Sequence, residues 1–186
     1  TSPGATRTEM LQGWIDMARA HGHEVLLEAP MEPADYPAND PGPMTLLAAS
    51  SPQETVRKLE WLLSRATGYY GLTNYLGSRF LGTPAAMTAF SGALKARGLA
   101  FIDDGAAAGK GAGPLRASAS RVIDDDLSAE AINHQLAALE AAARTRGQAL
   151  GSGFAYPVTV DQAAIWARSL SDRGFQLAPA SALAHR

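Results

Sequence analysis

Acidic, amide and guanidinium side chains recur in this 186-residue chain directly after short apolar runs. Glu28 and Glu32 follow His23 to Leu27, and Asn74, Tyr75, Arg79 and Phe80 follow Tyr69 to Thr73. Asp103-Asp104-Gly105 follows Leu99 to Ile102, and Asp124-Asp125-Asp126 follows Arg121 to Ile123. Four such clusters exceed what solubility requires. Carboxylates in this setting suit proton transfer or metal-assisted hydrolysis, and an arginine at a strand end anchors an anion or a polarised carbonyl.

Each cluster also has a purely structural explanation. Asp and Gly favour turns, so Asp103-Asp104-Gly105 and Asn39-Asp40-Pro41-Gly42 both read as turns, the latter also as a pocket rim. Asp124 to Asp126 precede a helix that Ser128 is expected to cap, and would complement its dipole. Glu32, held between Pro33 and the apolar run, is harder to explain structurally. His23 reads as a packed histidine at the start of a strand, whereas His21, His134 and His185 read as surface residues.

Other chemistries are excluded by what is missing. The chain has no cysteine, which removes disulfides, thiolate nucleophiles and cysteine-based zinc sites. Ser78 and Ser152 sit in no nucleophile elbow. Gly105 to Gly111 lacks P-loop spacing and reads as a flexible loop, and no dinucleotide fingerprint joins a strand to a helix. With 18% charged residues, a net charge of -2 and scattered Lys and Arg, there is no basic stripe for nucleic acid. No apolar run reaches the ~18 residues of a membrane span. The opening residues, Thr1-Ser2-Pro3-Gly4, carry no signal-peptide pattern and read as the interior of something longer.

The elements that must position these residues come from a unit repeated five times: a helix ending in small and basic residues, a glycine, then a short apolar run. Its glycines are Gly22, Gly68, Gly98, Gly147 and Gly174, before apolar runs at 23–27, 69–72, 99–102, 148–150 and 175–177. Basic side chains suit the negative end of a helix dipole, and glycine adopts the left-handed conformation that ends the helix. Starts agree: Ser51-Pro52-Gln53-Glu54 combines an N-cap, a first-turn proline and a capping-box glutamate; Thr83-Pro84 repeats half of it; and Thr159 with Gln162 forms another box. Helical spacing predicts buried faces at Val56, Leu59 and Leu63; at Met87, Phe90 and Leu94; at Ile132, Leu136, Leu139 and Ala143; and at Ile165 and Leu170. Helices alternating with short buried strands define a single α/β domain over 1–186 with a parallel sheet, whose carboxyl edge carries the chemistry. Pattern alone leaves open sheet and closed barrel undecided.

Gly22-His23-Glu24-Val25-Leu26-Leu27 running into Pro30-Met31-Glu32-Pro33, followed by Asn39-Asp40-Pro41-Gly42-Pro43, resembles the divergent polysaccharide deacetylase family. So do Gly68-Tyr69-Tyr70-Gly71 with Asn74-Tyr75-Leu76-Gly77-Ser78-Arg79-Phe80, Arg97-Gly98-Leu99 with Phe101-Ile102-Asp103-Asp104, and Leu177-Ala178-Pro179-Ala180-Ser181. The resemblance implies a distorted (β/α)7 barrel in a periplasmic or envelope-associated protein acting on carbohydrate or a peptidoglycan-like glycan. It also implies that the strand carrying the family's paired aspartates, normally ahead of the first helix, is missing from these residues. The two metal histidine positions fall at about Glu28 and Glu32, a carboxylate pair able to hold a hard divalent cation but not the usual zinc set. Where relatives carry Gly-His, this chain reads Gly153-Phe154-Ala155-Tyr156-Pro157, and a phenylalanine cannot protonate a leaving group.

Under this resemblance the expected activity is hydrolysis of an acyl or glycosidic bond in an envelope glycan. Glu32 and Asp103 would be acid/base or metal-directing groups, Arg79 would steady the oxyanion, and Asn74 would orient substrate. Asp40, Asp104, Tyr75 and Phe80 would contact it. The rival reading is a catalytically silent glycan-binding or envelope-assembly module, with Tyr36, Tyr75, Phe80, Phe154 and Tyr156 supplying stacking surfaces. A third reading is partner binding through an open sheet edge. A barrel lacking a strand exposes unpaired backbone and apolar surface, so a homo-oligomer is expected if these residues are the whole protein.

Overall fold

A computed structural model describes residues 7–107 and 115–185; the glycine-rich loop read from sequence lies, from residue 108 onward, outside the described residues. The chain runs α1 (Arg7–Ala20), β1 (Leu26–Met31), α2 (Pro52–Leu63), β2 (Gly71–Leu76), α3 (Ser78–Leu81), α4 (Pro84–Ala96) and β3 (Ala100–Asp103). It continues with β4 (Arg116–Ser118), β5 (Arg121–Val122), α5 (Ala129–Arg146), β6 (Gly151–Ser152) and α6 (Pro157–Arg168).

The repeated unit sets this alternation. All five of its glycines have positive φ, from 68° at Gly98 to 89° at Gly68, a region that side chains with a Cβ avoid. At the other end of the helices, the Ser51 side chain accepts from the Glu54 amide at 3.2 Å, as a capping box requires. Two predicted caps differ. The Thr83 hydroxyl donates to the Arg79 carbonyl rather than capping α4. Thr159 lies inside α6, which starts at Pro157 and whose N-cap, Tyr156, supplies no side-chain cap.

Strands β1, β2, β3 and β4 pair in that order, all parallel, and β5 pairs with β6, also parallel. The two ladders meet at Ala119 and Ser120: the Ala119 amide donates to Asp103 and the Ser120 amide to Leu150, each at 2.8 Å. β4 and β5 are therefore two halves of one bent strand, and the carboxyl ends of both sheets face the same way. The result is a mixed α/β fold with a parallel sheet, and the sheet formed by the described residues is not closed.

The strands begin one to three residues later than the apolar runs predicted, because the turn after each glycine consumes the first of them. Glu28 thus lies within β1, and Asn74 and Tyr75 within β2. The last expected strand, Phe175 to Leu177, is not formed; the Phe175 amide instead closes the preceding turn on Leu170.

Alternation along the strands divides the core in two. Leu27, Ala29, Met31, Leu72 and Phe101 face the helices and pack with Leu59, Met87, Phe90 and Leu94. Phe90 sits between Phe80 and Phe101, edge-on to each at 6.0 and 5.0 Å. On the opposite face Ala100 and Ile102 pack with Leu26, Tyr70, Ala117 and Leu150, and are covered by Ala180 and Ala184 from the end of the described chain. Ser181 fastens that segment to Glu24 through its amide and hydroxyl, and His185 exchanges backbone bonds with Arg116 at 2.8 Å. Predicted helix faces are buried or half-buried except at Ile165, which is 56% exposed on α6, a helix that packs mainly against α5.

Candidate functional site

The carboxyl edge of the sheet begins at Glu32, one residue past β1. Its backbone carbonyl accepts from the amides of Arg79 and Phe80, both at 3.1 Å, so the first turn of α3 docks on it. Its carboxylate is buried and each oxygen has a partner: Oε1 accepts from Arg79 Nη1 at 3.0 Å and Oε2 from the Ala48 amide at 2.6 Å. Arg79 also donates through Nη2 to the Ala34 carbonyl at 2.6 Å, and Ser78 Oγ accepts from the Ala34 amide. Glu32 and Arg79 are thus brought together and hold the loop after β1 against α3. A pair with a half-exposed guanidinium contributes roughly 1 kcal/mol or less, so its value lies in fixing the loop.

Asn74 and Asp103 form a second knot. Asn74, buried at the end of β2, donates to the Leu76 carbonyl at 2.8 Å and accepts from the Asp104 amide at 3.2 Å. Leu76 needs that support, being a non-glycine residue with φ of 58°. Asp103 is 2% exposed and accepts from Gly105 N (2.9 Å), Ala107 N (3.2 Å) and Ser118 Oγ (2.7 Å), with Arg116 Nη2 at 3.5 Å. Arg116 in turn reaches the Ala107 carbonyl at 3.0 Å and lies over the Phe101 ring.

Other predicted residues are placed differently. Phe80 is fully buried in the core against Phe90 and does not reach the surface. Asp40 is exposed and accepts from the Gly42 amide at 2.9 Å, the turn its sequence suggested. Asp104 is exposed, accepting from Ala106 N at 3.0 Å. Glu28 and Tyr75 point away from the helix layer, on the face opposite Leu27 and Leu72, and Tyr75 is 43% exposed. Four strand residues place the Glu28 and Glu32 backbones ~13 Å apart, and the Glu32 oxygens are already turned to Ala48 and Arg79. The two do not form a chelating pair, and no group of three or more metal-ligating side chains occurs among the described residues. His23 is exposed ahead of β1 rather than packed within it.

The second sheet carries residues that the sequence reading misassigned. Asp126 does serve the start of α5, accepting from the Ser128 amide at 2.8 Å, which holds its carboxyl below the usual carboxylate range. Asp124 turns instead to the end of β6, where Oδ2 accepts from the Phe154 amide (2.7 Å) and Thr159 Oγ1 (3.0 Å). Beside it Phe154 and Tyr156 are exposed, with ring centroids 5.9 Å apart. The clue in the sequence was Gly153, which stands at no helix end; a Cβ there would lie 2.8 Å from Ile123 Cγ1.

The described residues thus form a parallel α/β sheet whose carboxyl edge gathers buried carboxylates, an arginine and exposed aromatic rings. The chain belongs to the divergent polysaccharide deacetylase family, whose model matches residues 5–184. Among solved structures it is similar to an uncharacterized protein from Agrobacterium tumefaciens, with 34% identity and a TM-score of 0.86 over 93% of this chain and 73% of that one. No curated protein matches it. No helix among the described residues is long and apolar enough to cross a membrane.

Proposed function

We propose that this protein engages an acylated cell-envelope glycan along the carboxyl edge of its sheet, as the sugar-contacting arc of a polysaccharide deacetylase-like barrel. The observation that carries this reading is the division of labour at that edge. The buried polar groups Glu32, Asn74 and Asp103 spend their hydrogen bonds within the fold, whereas Tyr75, Phe154 and Tyr156 present rings to solvent there. Aromatic faces with a polar tip suit the apolar faces and hydroxyl rims of sugar rings.

Hydrolysis of an acyl group is the second reading, favoured by the family match. A proton-transfer group must reach the reacting atom. Exposed Glu28 and Asp104 meet that requirement better than Glu32 and Asp103, whose oxygens are occupied.

The test is titration calorimetry with N-acetylglucosamine oligomers and soluble peptidoglycan fragments, using wild type, Tyr75→Ala and the double variant Phe154→Ala/Tyr156→Ala. Losing one stacking contact of about 1 kcal/mol weakens binding about fivefold. Binding that is undetectable in wild type, or equal in all three proteins, would refute the reading.

A further inference from the structure

We infer that Asp124 is a positioning residue for the exposed Phe154–Tyr156 segment, and so for the glycan contact that rests on the function proposed above. The segment runs from β6 into α6 and is held at three points: Ser152 O accepts from the Ile123 amide at 2.8 Å, the Phe154 amide donates to Asp124 Oδ2 at 2.7 Å, and Thr159 Oγ1 donates to the same oxygen at 3.0 Å. Two of the three end on one carboxylate oxygen. Asp124 and Thr159 are 5% and 4% exposed, whereas Phe154 and Tyr156, between the anchors, are 61% and 45% exposed. The anchors are therefore interior while the segment they hold, residues 153–157, is exposed.

Three further features assign this work to Asp124 rather than to local backbone preference. First, α6 begins without a side-chain cap from Tyr156, so the Asp124 carboxylate, bonded to Thr159 in its first turn, is the anion at its amino end. Second, Gly153 leaves room for the close approach: a Cβ there would stand 3.2 Å from Asp124 Oδ2 as well as colliding with Ile123. Third, Asp124 Oδ1 is buried and receives no hydrogen bond among the described residues. A buried acceptor without a hydrogen-bond donor is unfavourable. The hydrogen bonds of this carboxylate are thus concentrated on its other oxygen, which holds the aromatic segment.

Amide hydrogen exchange by NMR, with and without an N-acetylglucosamine tetramer, tests this on the full chain. Asp124→Ala should speed exchange at Phe154 and Tyr156 by about tenfold or more, leave Leu72 and Phe101 in the main sheet at wild-type rates, and weaken tetramer binding. Asp124→Asn, which keeps an acceptor in place, should restore both. Thr159→Val removes one anchor with little change of volume, and should give the same local pattern more weakly even if Asp124→Ala does not fold. Unchanged exchange at Phe154 in these variants overturns the inference. So does faster exchange with undiminished tetramer affinity. If wild type binds no tetramer the proposed function fails, and the exchange pattern alone decides the positioning role.

Discussion

Replacing Asp103 with alanine separates a catalytic carboxylate from one that holds the fold. The Asp103 side chain is fully buried and takes three hydrogen bonds at 2.7–3.2 Å, with Arg116 at 3.5 Å. Alanine leaves the Gly105 and Ala107 amides and the Ser118 hydroxyl without that acceptor, and removes the Asp103 carboxylate from beside the Arg116 side chain, which is 13% exposed. Removing one partner of a buried pair costs about 3–5 kcal/mol, a large part of the ~5–15 kcal/mol that stabilises a typical domain. Asp104→Ala is the control, since its carboxylate is exposed and makes one turn bond; its cost should stay below about 1 kcal/mol. Urea unfolding followed by far-ultraviolet circular dichroism measures both. A loss under about 1 kcal/mol for Asp103→Ala would show that the knot between β3 and β4 is not what Asp103 is for, and would return it to the list of acid/base candidates.

Two further outcomes follow from the packing. Phe90→Ala removes the ring that two others meet edge-on in a fully buried site, and should cost about 3–5 kcal/mol in the same unfolding assay; a loss under about 2 kcal/mol would mean the core collapses around the gap. Glu140, on α5, is hydrogen-bonded by Arg173 and by Trp166 Nε1, and the Arg173 bonds are the main reason its carboxyl sits below the ordinary value of 4.5. The unfolded chain then binds more protons than the folded one as pH falls through this range, so the stabilisation is present above about pH 4.5 and is lost below it. Unfolding titrations of Glu140→Gln should therefore show a flatter pH dependence between pH 3 and 5 than wild type, and identical slopes would contradict the assignment.

The helices and their glycine stops were legible in the sequence because they depend on local chemistry: Ser51 caps the helix it precedes, and every repeated glycine takes the backbone conformation only glycine tolerates cheaply. Strand limits were less legible, since pairing begins only after each turn has closed, which moved Glu28 and Asn74 from loops into strands. For the candidate site, the sequence indicated which polar residues lie at or near strand ends but not what each of them bonds to. Residue type and position at a strand end do not say whether a carboxylate meets solvent or a neighbouring amide; that is decided by Ala48 and Arg79 for Glu32, and by Ser118, fifteen residues on, for Asp103. Phe80 illustrates the same limit, since its ring turns into the core while Tyr75, five residues earlier, turns out.

The bond between Ser181 and Glu24, which spans 157 residues, has a consequence for how the protein is made. During synthesis the chain emerges in order, and α1 through α6 can assemble the helix-facing layer as they appear. The other face of the sheet, with Leu26, Ala100 and Ile102, lacks the part of its cover that Ala180 and Ala184 supply until those residues leave the ribosome. Contacts so distant in sequence form late and carry the largest loop-closure cost. Until that segment arrives, Leu26, Ala100 and Ile102 lack part of their native cover, the kind of exposure at which chaperones engage and aggregation competes.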